Sequence, residues 1–164
     1  MCPRLPQAGI FTFTKHVIRG KLSFLPVTLK RWNITMTKVL HTESAPAAIG
    51  PYVQGVDLGN MVLTSGQIPV NPATGEVSAD IAKQARQSLE NVKAVVESSG
   101  LSVTDIVKLT VFVKDLNDFG TVNEVYGKFF DEHNVANYPA RSCVEVARLP
   151  KDVGIEIEAI AVRK

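Results

Sequence analysis

Residues 36–164 read as an α+β layer of order β-β-α-β-α-β-β, with two helices on one face of a mixed sheet. Three observations predict it. Two segments place apolar residues at helical spacing, and five others are rich in β-branched residues. The intervals between them carry Gly, Pro and Asn turn signals, with no internal repeat, linker or low-complexity run.

The elements follow in order. Tyr52–Leu58 and Met61–Ile68 flank Gly59-Asn60, which predicts a hairpin. "PVNPATGE" after it is a loop. From Asp80 the period changes: Ile81, Ala85, Leu89, Val92, Val95 and Val96 line one face of a helix of about five turns, and Gly100 stops it. Thr104–Lys114 reads as a third strand. Phe119, Val122, Val125, Tyr126, Phe129 and Phe130 form the apolar face of a second helix, with Asp118 as its candidate N-cap. Ser142–Ala147 is a fourth strand. "RLPKDVG" then turns the chain into a fifth, Ile155–Val162, and is expected to bring it back alongside the fourth. In that last strand Ile155, Ile157 and Ala159 share one face, and Glu156 and Glu158 the other.

Helices on one side leave the opposite sheet face bare. The third strand nevertheless offers apolar residues on both faces, with Val107, Leu109, Val111 and Val113 opposed to Ile106 and Phe112. A sheet apolar on both sides needs a second cover. The expected cover is another copy of the chain in a closed homo-oligomer.

The formal net charge of +2 hides an asymmetry. Residues 1–35 hold six Lys/Arg and no acid, whereas residues 36–164 hold 12 Lys/Arg and 16 Asp/Glu, a balance of −4. The body therefore lacks the basic footprint of a nucleic-acid binder. No apolar run approaches the ~20 residues that span a bilayer. Cys2 and Cys143 are the only cysteines, one of them in the basic leader, so a disulfide framework is not expected, and no CxxC or His/Cys cluster has zinc spacing. The leader has transit-peptide composition but contains three prolines. The expectation is an extension over 1–35, poorly ordered or not native, ahead of a domain over 36–164. The protein is expected in the cytoplasm, or in a mitochondrion or plastid if the leader targets it.

Candidate chemistry gathers in "NYPARSCVEVARLPKD". Strand alternation puts Arg141, Cys143 and Glu145 on one face. A guanidinium at a strand entrance can grip a carboxylate with two parallel hydrogen bonds, or simply pair with a neighbouring acid. Cys143 lacks a nearby histidine, so a packed small side chain fits it better than a nucleophile. Glu156 and Glu158 fit a solvated face or, in a cleft, a base acting on water. Tyr52, Ser65, Gly66 and Asn123 each have an ordinary structural reading as well as a pocket reading. Gly66 would let a ligand approach the backbone. No Walker loop, dinucleotide fingerprint or nucleophile elbow occurs.

"PARSCVEVARLPKDVGIEIEAIAV", "APAAIGPYVQGVDLGNMVLTSGQIPVNPATGEV", "QARQSLENVKAVVESSGL" and "VFVKDLNDFGTVNEVY" together resemble the Rid (YjgF/YER057c) family, closest to its RidA subgroup. The resemblance runs from Met36 to Lys164. It implies a chorismate-mutase-like fold, a homotrimer with clefts between subunits, and no cofactor. It implies hydrolysis of 2-aminoacrylate/2-iminopropanoate and 2-iminobutanoate to 2-oxo acids and ammonia. Carried over by position, Arg141 would hold the substrate carboxylate and Glu156 would handle water. Tyr52, Ser65, Gly66, Cys143 and, more weakly, Asn123 would bind substrate. Two other functions stand beside it: a ribonuclease or translation inhibitor, and a non-catalytic ligand-binding or chaperone-like trimer.

Overall fold

The computed structural model describes residues 37–164, and the expectations for 1–35 fall outside them. Six strands form one sheet: β1 (Lys38–Leu40), β2 (Gly55–Asp57), β3 (Met61–Thr64), β4 (Ile106–Val113), β5 (Ala140–Glu145) and β6 (Ile155–Val162). The helices are α1 (Ile81–Glu97) and α2 (Phe119–Glu132). The expected order holds, with β1 added in front. A three-residue strand with two exposed positions carries almost no periodicity, so the sequence hid it.

The spatial order is β1-β2-β3-β6-β4-β5. All pairings are antiparallel except β4 with β5. This corrects the expected hairpin between the last two strands. β6 inserts between β3 and β4, and β5 runs parallel to β4 at the sheet edge. The β4-α2-β5 segment is a crossover, and α2 is what carries the chain back to begin a parallel strand. The alternation of β6 is as read, with Ile155, Ile157, Ala159 and Ala161 buried and the residues between them half-buried.

Both helices cover that buried face. α1 begins where the Asp80 carboxylate accepts the Lys83 N–H at 2.8 Å, and Gly100 follows it in the left-handed region with φ 83°. At α2 the cap differs from expectation. Asp118 makes no capping bond; Asp115, three residues earlier, accepts from the Asn117 N–H at 2.8 Å and starts a 3-10 turn that leads into the helix. Leu89, Val92, Val95 and Val96 of α1, with Phe129 and Phe130 of α2, pack on Leu109, Val111, Val113, Ile155 and Ile157, all 0–1 % exposed. At ~25 cal/mol per Å2 of apolar surface, such a core is the main favourable term of the fold.

The other face is open among the described residues. A register irregularity between Ile106 and Lys108 changes the phase of β4. Ile106 therefore turns to the core, and Val107, expected beside Leu109, is 41 % exposed. Val39, Val56, Leu63 and Ile160 stand opposite one another in register across four strands, and none is buried. An apolar row across an uncovered sheet has the character expected of an association surface.

Candidate functional site

The site is built at the junction of β3 and β6. Beyond β3 the pairing continues through Gln67, whose N–H and C=O exchange bonds with Ile157 at 2.8 and 3.1 Å. That pairing presses residue 66 against Glu156. A Cβ on residue 66 would overlap Glu156 Oε1 and lie 2.7 Å from Cδ. Glycine is the residue that leaves room for this carboxylate.

Ser65 is fixed on the same side. Its N–H donates to Gln54 O at 2.9 Å, and its hydroxyl donates to Val53 O at 2.6 Å. Gln54 is buried and anchors the segment before Tyr52. Its amide nitrogen donates to the carbonyls of Thr42, Ala45 and Pro46 at 2.9, 3.1 and 2.9 Å. Tyr52 stands at the rim, 47 % exposed, its hydroxyl accepting the Ile49 N–H at 3.3 Å. Tyr52, Ser65, Gly66, Glu156 and Glu158 line one open depression of about 520 Å3.

Glu156 is half-buried, and among the described residues no hydrogen bond or ion pair holds its carboxylate. Its pKa is raised, first by burial and then by the neighbouring charge of Glu158. A carboxylate whose pKa is raised beside a cavity takes up a proton more readily than an ordinary surface carboxylate, which is the property a proton-handling group needs.

The second cluster lies on the opposite face of the sheet. Arg141 is in register with Leu109, whose side chain is in the core, so the guanidinium points to the helix side. It lies over the Tyr126 ring at 4.7 Å and the Phe119 ring at 5.5 Å. Cys143, in register with Val111, shares that face. Burial pushes its thiol pKa up, while Arg141 pulls the other way. The residue is thus a poor thiolate and a good wall. Asn123 is half-buried on α2, between Phe119 and Tyr126 in sequence. Burial also pushes the Tyr126 phenol up to about 12.

The seven expected residues therefore form two groups. Tyr52, Ser65, Gly66 and Glu156 open on the bare face, and Asn123, Arg141 and Cys143 gather on the helix face at the edge strand. β4 lies between β5 and β6, which are two strand spacings, about 10 Å, apart. The sequence gives Glu158 the same cleft reading as Glu156 without assigning it to the site, and it does not show Tyr126 as the partner of Arg141. Glu158 was legible as the second acid on the face of Glu156. Tyr126 was read as core, and only the β4–β5 register reveals that Arg141 meets it.

The model of the family described as endoribonuclease L-PSP matches residues 42–163. The chain belongs to that family. It is the Rid (YjgF) family that the sequence motifs resemble. The 2-iminobutanoate/2-iminopropanoate deaminase of Escherichia coli strain K12 is 78 % identical over 129 residues, which is 79 % of this chain and all of that protein. The crystal structure of the Escherichia coli YjgF gene product is 77 % identical with a TM-score of 0.76, covering 77 % of this chain and 99 % of that one. Escherichia coli TdcF, solved with bound serine, is 71 % identical with a TM-score of 0.76 over the same shares. These endoribonuclease L-PSP family structures share the fold of two helices on a mixed sheet.

Proposed function

We propose that this protein deaminates reactive imines, hydrolysing 2-iminopropanoate and 2-iminobutanoate to 2-oxo acids and ammonia. The observation that carries the reading is a half-buried Glu156, unpaired among the described residues, facing the open depression beside Gly66. The name of the Escherichia coli deaminase, 78 % identical along its whole length, supports the same chemistry.

The catalytic unit in this reading is a homotrimer with the site between subunits. The Arg141 group of one copy faces the Glu156 depression of the next, which reconciles two clusters on opposite faces of one chain. Arg141 grips the substrate carboxylate through two N–H donors. That fixes the imine carbon over the depression and supplies the orientation part of the rate. Glu156 takes the proton of the attacking water and returns it to the departing nitrogen, for which a raised pKa suits it. Tyr52 and Ser65 shape the rim, Cys143 and Asn123 the facing wall.

The test is pyruvate release from 2-aminoacrylate generated by a serine dehydratase, with and without the protein. Acceleration that disappears in Arg141→Ala and Glu156→Gln is expected. No acceleration, or full activity in Arg141→Ala, refutes the reading. RNA cleavage, suggested by the family's description, is opposed by the −4 balance of residues 36–164. A salt-dependent RNA affinity would favour it instead.

A further inference from the structure

Arg141 has no hydrogen bond or ion pair among the described residues, yet it is placed, because two aromatic rings hold it. Phe119 and Tyr126 are seven residues apart on α2, so they occupy one stripe two turns long, with Asn123 between them. Tyr126 is 6 % exposed and wedged against Phe130, with ring centroids 4.7 Å apart. Its ring therefore cannot move without disturbing the core. We propose that the Phe119–Tyr126 stripe is the positioning device for Arg141: it fixes the cation by its ring faces and leaves the guanidinium donors free for a substrate carboxylate.

This rests on Arg141 being the carboxylate clamp, and it explains how such a clamp stays available. An acidic partner would hold Arg141 as firmly but would occupy the donors and compete with the substrate. An aromatic face attracts the cation through its quadrupole and takes no N–H bond. The Tyr126 hydroxyl is buried with no partner among the described residues, and its phenol, at about 12, stays neutral. The ring and not the oxygen is thus the working part, so phenylalanine is the informative replacement.

The experiment compares Tyr126→Phe, Tyr126→Leu and Phe119→Leu with wild type and Arg141→Ala. Phe119 is 40 % exposed, so its leucine variant folds even if Tyr126→Leu does not. kcat/KM for the imine is expected to fall about tenfold in the leucine variants, with KM raised, and both to stay at the wild-type value in Tyr126→Phe. Two further readouts do not depend on turnover. Binding of 2-oxobutanoate, titrated directly, should weaken by the same factor. The Arg141 side-chain proton resonances, shifted upfield over ring faces, should move downfield in the leucine variants. A KM and oxobutanoate affinity unchanged in both leucine variants, while Arg141→Ala loses them, overturns the proposal alone. Loss in Tyr126→Phe equal to that in Tyr126→Leu overturns it too, since the hydroxyl would then be the essential group. Absence of imine hydrolysis in wild type refutes the functional reading, while the resonances and the titration still decide the positioning role.

Discussion

Gly66→Ala is the sharpest probe of the depression. The backbone permits it, because Gly66 is not among the positive-φ glycines. The added methyl would fall on Glu156 Oε1, 2.7 Å from Cδ and 3.0 Å from Cγ. Carbon atoms rest at about 3.5–4.0 Å, so the carboxylate must retreat by roughly 1 Å. The clashing atoms end a flexible side chain, so the protein pays little: a displaced rotamer costs about 0.5–1.5 kcal/mol. A shift in melting temperature below about 5 °C is expected. A 1 Å misplacement of the proton-handling group, by contrast, costs about 100-fold in rate. The assay is imine-coupled pyruvate release beside a thermal melt. A double-mutant cycle supplies the control. Gly66→Ala should cost almost nothing more in a Glu156→Gln background, because both changes act through one group. Activity within threefold of wild type, or fully additive losses, would refute the argument.

Other outcomes follow from the same geometry. Glu158→Gln removes one of the two causes that raise the Glu156 pKa, so the acid limb of the activity profile should move to lower pH. A carboxyl whose folded pKa is raised contributes stability at low pH and loses it as pH climbs through that pKa. Glu156→Gln should therefore melt above wild type at pH 7, with the gap closing below the ordinary carboxylate range. Cys143 should alkylate with iodoacetamide at pH 7 more slowly than the same cysteine in the unfolded chain, measured by mass spectrometry, because burial keeps it a thiol. Asp80→Ala should cost about 1 kcal/mol of stability through the lost Lys83 N–H bond and leave KM untouched.

The elements that could be read from the sequence are those whose period is long and regular. α1 shows several apolar turns with a cap and a glycine stop, and β6 alternates over eight residues. What escaped has a common cause in short or broken periods. β1 has three residues, the irregularity after Ile106 shifts the phase within β4, and the Asp115 cap precedes α2 by a 3-10 turn. The turn before β6 looked like a hairpin because sequence proximity was taken for spatial proximity. Nothing local in "RLPKDVG" says that β6 will insert on the far side of β4.

By itself the sequence determined the chemical types at the site and their alternation: an arginine and a cysteine on one face of a strand, and two acids on one face of another. Side-chain direction has a period of two along a strand, so these assignments need no partner strand. Only the tertiary structure decided which faces those are. The parallel pairing of β5 with β4 turns Arg141 toward Phe119 and Tyr126, and the antiparallel pairing of β6 turns Glu156 to the open side beside Gly66. Alternation restricts each strand to a register that buries its apolar face, but which strands become neighbours is settled by hydrogen bonds closed across many intervening residues.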